Sequence, residues 1–135
     1  MRYLFLIYNS ENVRATAPAS EHEHCLEEHR ALLHETGQRG ILLGAAPLHP
    51  TSTARTLRHH EGKPLVVDGP FAETKEQLLG LYVVECSSLD EAIDTARQIP
   101  QSCWRSLEIR PVSYYQPGVA AAEARAAGMP AARRA

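Results

Sequence analysis

Histidine residues are concentrated in one predicted helix. Four of the seven histidines of the chain lie in residues 21–36: His22, His24, His29 and His34. At helical spacing His22 and His29 share a face with Leu26 and Leu33, and the other two lean away. An imidazole has an unperturbed pKa of about 6.5, so either can serve as general acid or base near neutral pH. The alternative interpretation is a partly buried helix histidine with one hydrogen bond.

Asp68 is the acidic residue best placed for chemistry. It ends a predicted strand and precedes Gly69-Pro70, which forces a sharp break in the chain. A carboxylate in that position can orient an imidazole or accept a substrate proton. The alternative is that Asp68 bonds to the backbone of its own turn, as aspartate often does. We take Asp68 with His22 or His29 as the candidate catalytic group.

Four further side chains are candidates for contacting a substrate: Glu73, Lys75, Arg110 and Tyr8. Glu73 and Lys75 lie in a loop, where charged side chains are commonly solvated. Arg110, on the last predicted strand, either faces a cavity and binds an anionic substrate or pairs with an acidic neighbour at the surface. Tyr8, like Tyr82, is expected to line the core or a cavity rather than act as an acid.

Metal and cofactor sites are not expected. The pairs His22-x-His24 and His59-His60 lack the i, i+4 helical spacing of a zinc pair backed by a third ligand. The chain also has no glycine-rich phosphate loop, no Gly-x-Ser-x-Gly elbow and no dinucleotide fingerprint. We therefore predict no metal ion and no bound cofactor.

The charge composition argues against nucleic acid as a partner. The chain has 14 basic and 16 acidic residues and a net charge of -2, which gives no long-range attraction to phosphate backbones or anionic lipid. No apolar run approaches the ~20 residues that cross a bilayer, and the N-terminal segment does not resemble a signal peptide. The three cysteines, Cys25, Cys86 and Cys103, are widely spaced and odd in number, which is typical of a reducing compartment. A cytoplasmic protein without membrane or nucleic-acid partners is expected.

Apolar patterning predicts strands and helices in a recognisable order. The predicted strands are 3–8, 40–48, 78–86 and 107–112, the helices are 21–36 and 88–98, and a β-hairpin with glycine at its turn is inserted at 54–68. This order is βαββαβ, which predicts an α+β, ferredoxin-like fold with both helices on one face of an antiparallel sheet. One domain of this size cannot cover the other face. We therefore expect a homodimer that buries it.

The composition changes near residue 117. Residues 1–117 form the predicted domain, whereas residues 118–135 are rich in alanine, carry few large apolar side chains and are interrupted by Gly128 and Pro130. We expect this C-terminal segment to be a flexible tail with little share in the core.

One segment carries a family resemblance. Residues 67–77, Val-Asp-Gly-Pro-Phe-Ala-Glu-Thr-Lys-Glu-Gln, resemble the signature of the DGPF branch of the YCII-related family. The similarity continues through residues 51–58, 79–84 and 107–112, and covers roughly residues 1–115. The resemblance implies a dimeric α+β barrel and, by analogy with YCII-type relatives, a histidine–aspartate pair with its histidine on the first helix. It also implies a possible link to an extracytoplasmic-function sigma factor.

Three functions remain open at this point. The first is a lyase or isomerase type of enzyme that moves a proton on a small organic molecule, in a cavity between helix and sheet. The second is a ligand-binding or regulatory protein that uses the same cavity without turnover, connected with a sigma factor. The third is a purely structural dimer module. A cavity that holds Asp68 beside His22 or His29 would favour the enzyme.

Overall fold

The computed structural model describes residues 1–118 and, beyond them, residues 126 and 128. The predicted tail, residues 118–135, therefore lies almost wholly outside the described residues. The strands are β1 Arg2–Asn9, β2 Leu42–Pro47, β3 Arg55–His60, β4 Lys63–Asp68, β5 Gln77–Glu85 and β6 Ser106–Pro111. The helices are α1 Glu11–Thr16, α2 Ala19–Gln38 and α3 Leu89–Ala96, and short 3₁₀ turns occur at Thr51–Thr53 and Gln101–Cys103.

The main sheet has the predicted ferredoxin-like arrangement. Four strands lie in the order β2-β5-β1-β6, and each neighbouring pair is antiparallel. The α+β fold class is thereby confirmed. None of the helices in the described part of the chain combines the length and apolar composition needed to cross a bilayer.

The core lies on one face of this sheet, under α2 and α3. Tyr3, Phe5 and Ile7 alternate along β1 and are buried, and Tyr82 and Val84 do the same on β5. Because side chains alternate across a strand, the residues between them point to the opposite face, where they are only partly buried. The second face of the sheet is therefore only partly covered within a single chain.

Helix α2 presents a slightly different face from the predicted one. Its buried residues are Cys25, Leu32 and Thr36, whereas Leu26 is 49% exposed. The helix begins at Ala19 after Pro18, and no side chain caps its N-terminus. Few large apolar residues lie along any one face of α2. The docking of the helix against the sheet, rather than the spacing of its apolar residues, therefore decides which residues are buried.

The predicted hairpin turn is confirmed by the backbone. The β3–β4 hairpin closes through Glu61 and Gly62, both at positive φ (49° and 76°), as a two-residue turn of the mirror-image type requires. At the start of α3 the hydroxyl of Ser88 accepts from the Glu91 amide at 3.1 Å. Glu91 itself accepts from the amide and hydroxyl of Ser87, not from Ser88.

A disulfide joins Cys25 of α2 to Cys103 in the 3₁₀ turn before β6, across 78 residues. The interpretation of three reduced cysteines is therefore wrong for two of them, and Cys86 is the buried cysteine that stays free among the described residues. A spacing this long carries no sequence signal, because only the docking of α2 brings the two sulfurs together.

Candidate active site

A cavity of about 190 Å³ lies between α2 and the β2–β5 side of the sheet. Most of its lining is apolar and comes from these residues: Ile7, Leu26, Leu33, Ala45, Ala46, Pro47, Leu79, Gly80 and Leu81. Its polar wall is formed by His29, Tyr82, Arg14 and Arg30, with Cys103 at one side. This volume is below the 300–1,000 Å³ of typical pockets for drug-sized ligands, so a small molecule is the size of ligand that fits.

His29 and Tyr82 meet at the wall of this cavity. The Nδ1 atom of His29 hydrogen-bonds with the phenolic hydroxyl of Tyr82, and the two rings stack with centroids 5.9 Å apart and an interplanar angle of 13°. His29 comes from the middle of α2, and Tyr82 comes from the central part of β5, where its side chain is 6% exposed. The contact therefore spans helix and sheet, and both elements hold it in place.

Burial keeps both rings uncharged near neutral pH. It lowers the pKa of His29, and the nearby positive charge of Arg14 lowers it further, while Glu28 opposes the shift. Burial also raises the pKa of Tyr82 to about 12. A neutral imidazole keeps one nitrogen lone pair, which is what a general base requires.

Two arginines give the cavity a positive side. The side chains of Arg14, at the end of α1, and Arg30, on α2, both contribute to its lining. A guanidinium stays protonated at any physiological pH and presents several donors to a carboxylate or phosphate. The cavity thus combines an apolar body with a site for an anionic group.

The disulfide lies next to His29. The sulfurs of Cys25 and Cys103 and a ring nitrogen of His29 all lie within 4.8 Å of one another. Sequence reasoning missed this cluster, although Cys25 and His29 have the i, i+4 spacing that places two ligands on one helix face. Only the position of Cys103 needed the tertiary structure.

Asp68 lies elsewhere, at the base of the β3–β4 hairpin. Its carboxylate pairs with Arg55 (Oδ1 to Nε, 2.9 Å), and its side chain is 87% exposed. The Gly69 amide donates to the Ala54 carbonyl at 2.9 Å, and the Thr56 hydroxyl donates to the Gly69 carbonyl at 2.8 Å. Within one chain the structure does not bring Asp68 into the lining of the cavity that holds His29.

His22 and the predicted substrate contacts are also separate from His29. His22 contacts the Pro18 carbonyl through Nδ1 at 3.3 Å and lines a smaller neighbouring cavity of about 80 Å³. Glu73 and Lys75 are exposed in the loop before β5.

Arg110 and Tyr8 lie on strands of the main sheet. Arg110 is exposed within one chain and pairs with Glu108 (Nε to Oε1, 3.2 Å). Tyr8 is partly buried near the end of β1, opposite Leu78 of β5.

Comparisons with known proteins identify a matching family model and a similar protein. The family model described as "YCII-related domain" matches residues 1–116. The chain is also 44% identical over 120 residues to an uncharacterised protein of Rhizobium meliloti (strain 1021), and the match covers 87% of this chain and 97% of that protein.

Proposed function

The chain belongs to the YCII-related family, and on that basis we propose that it binds a small organic anion in the cavity between α2 and the sheet and moves a proton on it. His29 is the general base, Tyr82 orients it, and the reaction is of lyase or isomerase type. The observation that carries the proposal is the hydrogen bond between His29 Nδ1 and Tyr82 at the wall of an apolar cavity.

The direction of this hydrogen bond determines which nitrogen reacts. When Nδ1–H donates to the Tyr82 oxygen, the lone pair of the neutral ring is on Nε2. Nε2 can then take a proton from a carbon acid held in the cavity. Tyr82 has the orienting role that the resemblance suggested for an aspartate.

The lining favours a ligand with an apolar body and one anionic group. Leu26, Leu33 and Leu79 supply the apolar surface, and Arg14 and Arg30 supply the positive charge. Arginine can also stabilise the additional negative charge that develops on such a group when the neighbouring C–H bond loses its proton.

The alternative is a ligand-binding or regulatory protein that uses this cavity without turnover, in connection with an extracytoplasmic-function sigma factor. The DGPF motif at residues 68–71, which suggests that setting, belongs to the hairpin rather than to the cavity lining. Both functions require ligand binding, so turnover separates them.

A homodimer forms part of the proposal. Leu4, Leu6, Leu81 and Val83 lie side by side on the sheet face opposite the helices, and each is partly exposed within one chain. A second copy of the same face would remove these side chains from water, at about 25 cal/mol per Å² of apolar surface. We also propose a cytoplasmic location, where a disulfide such as Cys25–Cys103 would be transient.

Deuterium exchange tests the reaction directly. The purified chain is incubated in D₂O with a panel of small carboxylates and phosphates, and loss of C–H signals is followed by proton NMR, with binding measured by calorimetry. We expect exchange into at least one bound compound. The His29→Gln variant should abolish exchange, and His34→Gln, which changes an exposed histidine of the same helix, should retain it.

The outcomes separate the two functions. Binding without exchange, unaffected by His29→Gln, would favour the regulatory protein. Exchange that survives His29→Gln would overturn the role of His29, and absence of binding across the panel would overturn the ligand class.

A further inference from the structure

We propose that the reduced chain binds one Zn²⁺-like metal ion through the thiolates of Cys25 and Cys103 and the imidazole of His29. The three donor atoms already lie within 4.8 Å of one another in the disulfide form. In tetrahedral zinc sites the Zn–S distance is about 2.3 Å and the Zn–N distance about 2.0–2.1 Å, which puts neighbouring ligand atoms roughly 3.6–3.8 Å apart. Reduction lets the two sulfurs separate to that distance, and only a small inward shift of His29 is then needed.

The backbone holds the three ligands in place before any metal binds. Cys25 and His29 are one turn apart on α2, so their side chains lie on the same helix face. Cys103 is held by its 3₁₀ turn, in which its amide donates to the Pro100 carbonyl at 3.0 Å. Both cysteines are buried, at 8% and 3% exposed, which protects the metal bonds from water.

Tyr82 can serve as the hydrogen-bond acceptor for the ring nitrogen of His29 that does not bind the metal. Metal-binding histidines donate their other ring N–H to a neighbouring acceptor, which fixes the ring and its tautomer. The contact of His29 Nδ1 with the Tyr82 hydroxyl supplies that acceptor and leaves Nε2 for the metal.

The site has three protein ligands, and its fourth position is open. His29 and Cys103 also line the 190 Å³ cavity, so a water molecule or ligand in that cavity can complete the tetrahedron. Two thiolates and one imidazole select Zn²⁺ and similar soft or borderline ions over Mg²⁺ and Ca²⁺, which prefer oxygen ligands.

The oxidation state of the cysteines controls metal binding. Reduction of the Cys25–Cys103 bond takes up two electrons and two protons and yields two thiols. Zn²⁺ then displaces the two thiol protons as it binds.

The metal and the proton-transfer reaction both need the Nε2 lone pair of His29, so each excludes the other. This inference does not depend on the proposed function, because metal binding is measured without any organic ligand.

The experiment compares the oxidised and reduced forms of the same chain. A water-soluble phosphine reduces the disulfide and becomes the phosphine oxide, with its oxygen from water, and is then removed without air. Zn²⁺ is titrated by competition with a chromophoric chelator, and Co²⁺ serves as a spectroscopic probe of thiolate ligation. We expect one metal per reduced chain, a thiolate-to-cobalt charge-transfer band, and no such band in the oxidised chain.

Variants test which side chains bind the metal. Cys25→Ser, Cys103→Ser and His29→Ala should each weaken binding by about 100-fold or more, since loss of a mere outer-shell partner already costs about 10–100-fold. Tyr82→Phe should weaken it by about 10-fold. Cys86→Ala is the matched control, because it removes the third thiol of the chain and should leave affinity and stoichiometry unchanged.

Three results would contradict the proposed metal site. The reduced wild-type chain could bind Zn²⁺ no better than Cys25→Ser, the oxidised chain could bind it equally well, or Cys86→Ala could lose binding. Circular dichroism of each variant checks that it is folded. If a cysteine variant does not fold, His29→Ala gives the same test with both thiols in place.

Discussion

Tyr82 of β5 is hydrogen-bonded to Nδ1 of His29 on α2, although 53 residues separate them in the chain. The contact distinguishes one of the four histidines of α2 from the other three. It also places a histidine side by side with the Cys25–Cys103 disulfide. His29 is therefore the residue on which both the proposed proton transfer and the proposed metal site depend.

The first prediction concerns the Tyr82 hydroxyl. Tyr82→Phe should lower the free energy of unfolding by about 1 kcal/mol, because it leaves the half-buried Nδ1 of His29 without its partner. Urea unfolding measures this change. Tyr114→Phe is the control, since Tyr114 is 76% exposed and its hydroxyl contacts Gln116 near the surface. Equal stability of both variants would contradict the structural role of the contact.

The disulfide should contribute to stability. It closes a loop across 78 residues, and disulfides typically stabilise by about 2–4 kcal/mol. Reduction should therefore lower the melting temperature of the wild-type chain, as followed by calorimetry with and without reductant. The double variant Cys25→Ala/Cys103→Ala should not respond to reductant. A reductant effect of equal size in that variant would assign the change to another cause.

Asp68→Asn decides the role of the hairpin carboxylate. Because the exposed ion pair with Arg55 is worth at most about 1 kcal/mol, we expect a small loss of stability and unchanged ligand binding in the His29 cavity. Arg55→Gln should have the same small effect on stability. If a folded Asp68→Asn variant no longer binds ligand, Asp68 does act at a ligand site, and the partner subunit of the dimer would have to supply it.

The sheet face opposite the helices should form the dimer interface. Light scattering is expected to give twice the 14.9 kDa chain mass at micromolar concentration. Val83→Lys, which lies opposite Leu4 and Gly44 on that face, should shift the mass to a monomer, because it would bury a charge with no acidic side chain directly opposite it. Val13→Lys, on exposed α1, should remain dimeric. A wild-type monomer would rule out the interface.

Residues after Gly118 should be dispensable for folding. Their low content of large apolar side chains motivates this prediction, and the family match ends at residue 116. Truncation after Gly118 should change the melting temperature by less than about 2 °C. A fall of many degrees would mean that this segment packs on the domain.

Local patterns predicted much of the fold. The predicted strands at 3–8 and 78–86 and the Glu61-Gly62 turn all depend on residues close together in the chain. The short α1 was missed, because six residues are too few for a helical period to show. The predicted start of α2, at residue 21, is two residues later than the observed start at Ala19.

The sequence by itself determined the order of the strands and of the helices α2 and α3, the hairpin turn and the α+β class, because each follows from short-range periodicity and turn chemistry. It also identified His22 and His29 of α2 as candidate catalytic residues. The tertiary structure alone decided that His29 meets Tyr82, that Cys25 meets Cys103, and that Asp68 meets Arg55. The first two contacts join elements 53 and 78 residues apart, and the third joins two strands across their hairpin. Which side chains touch in such pairs depends on how the elements dock, and docking is set by the packing of the whole core rather than by local spacing.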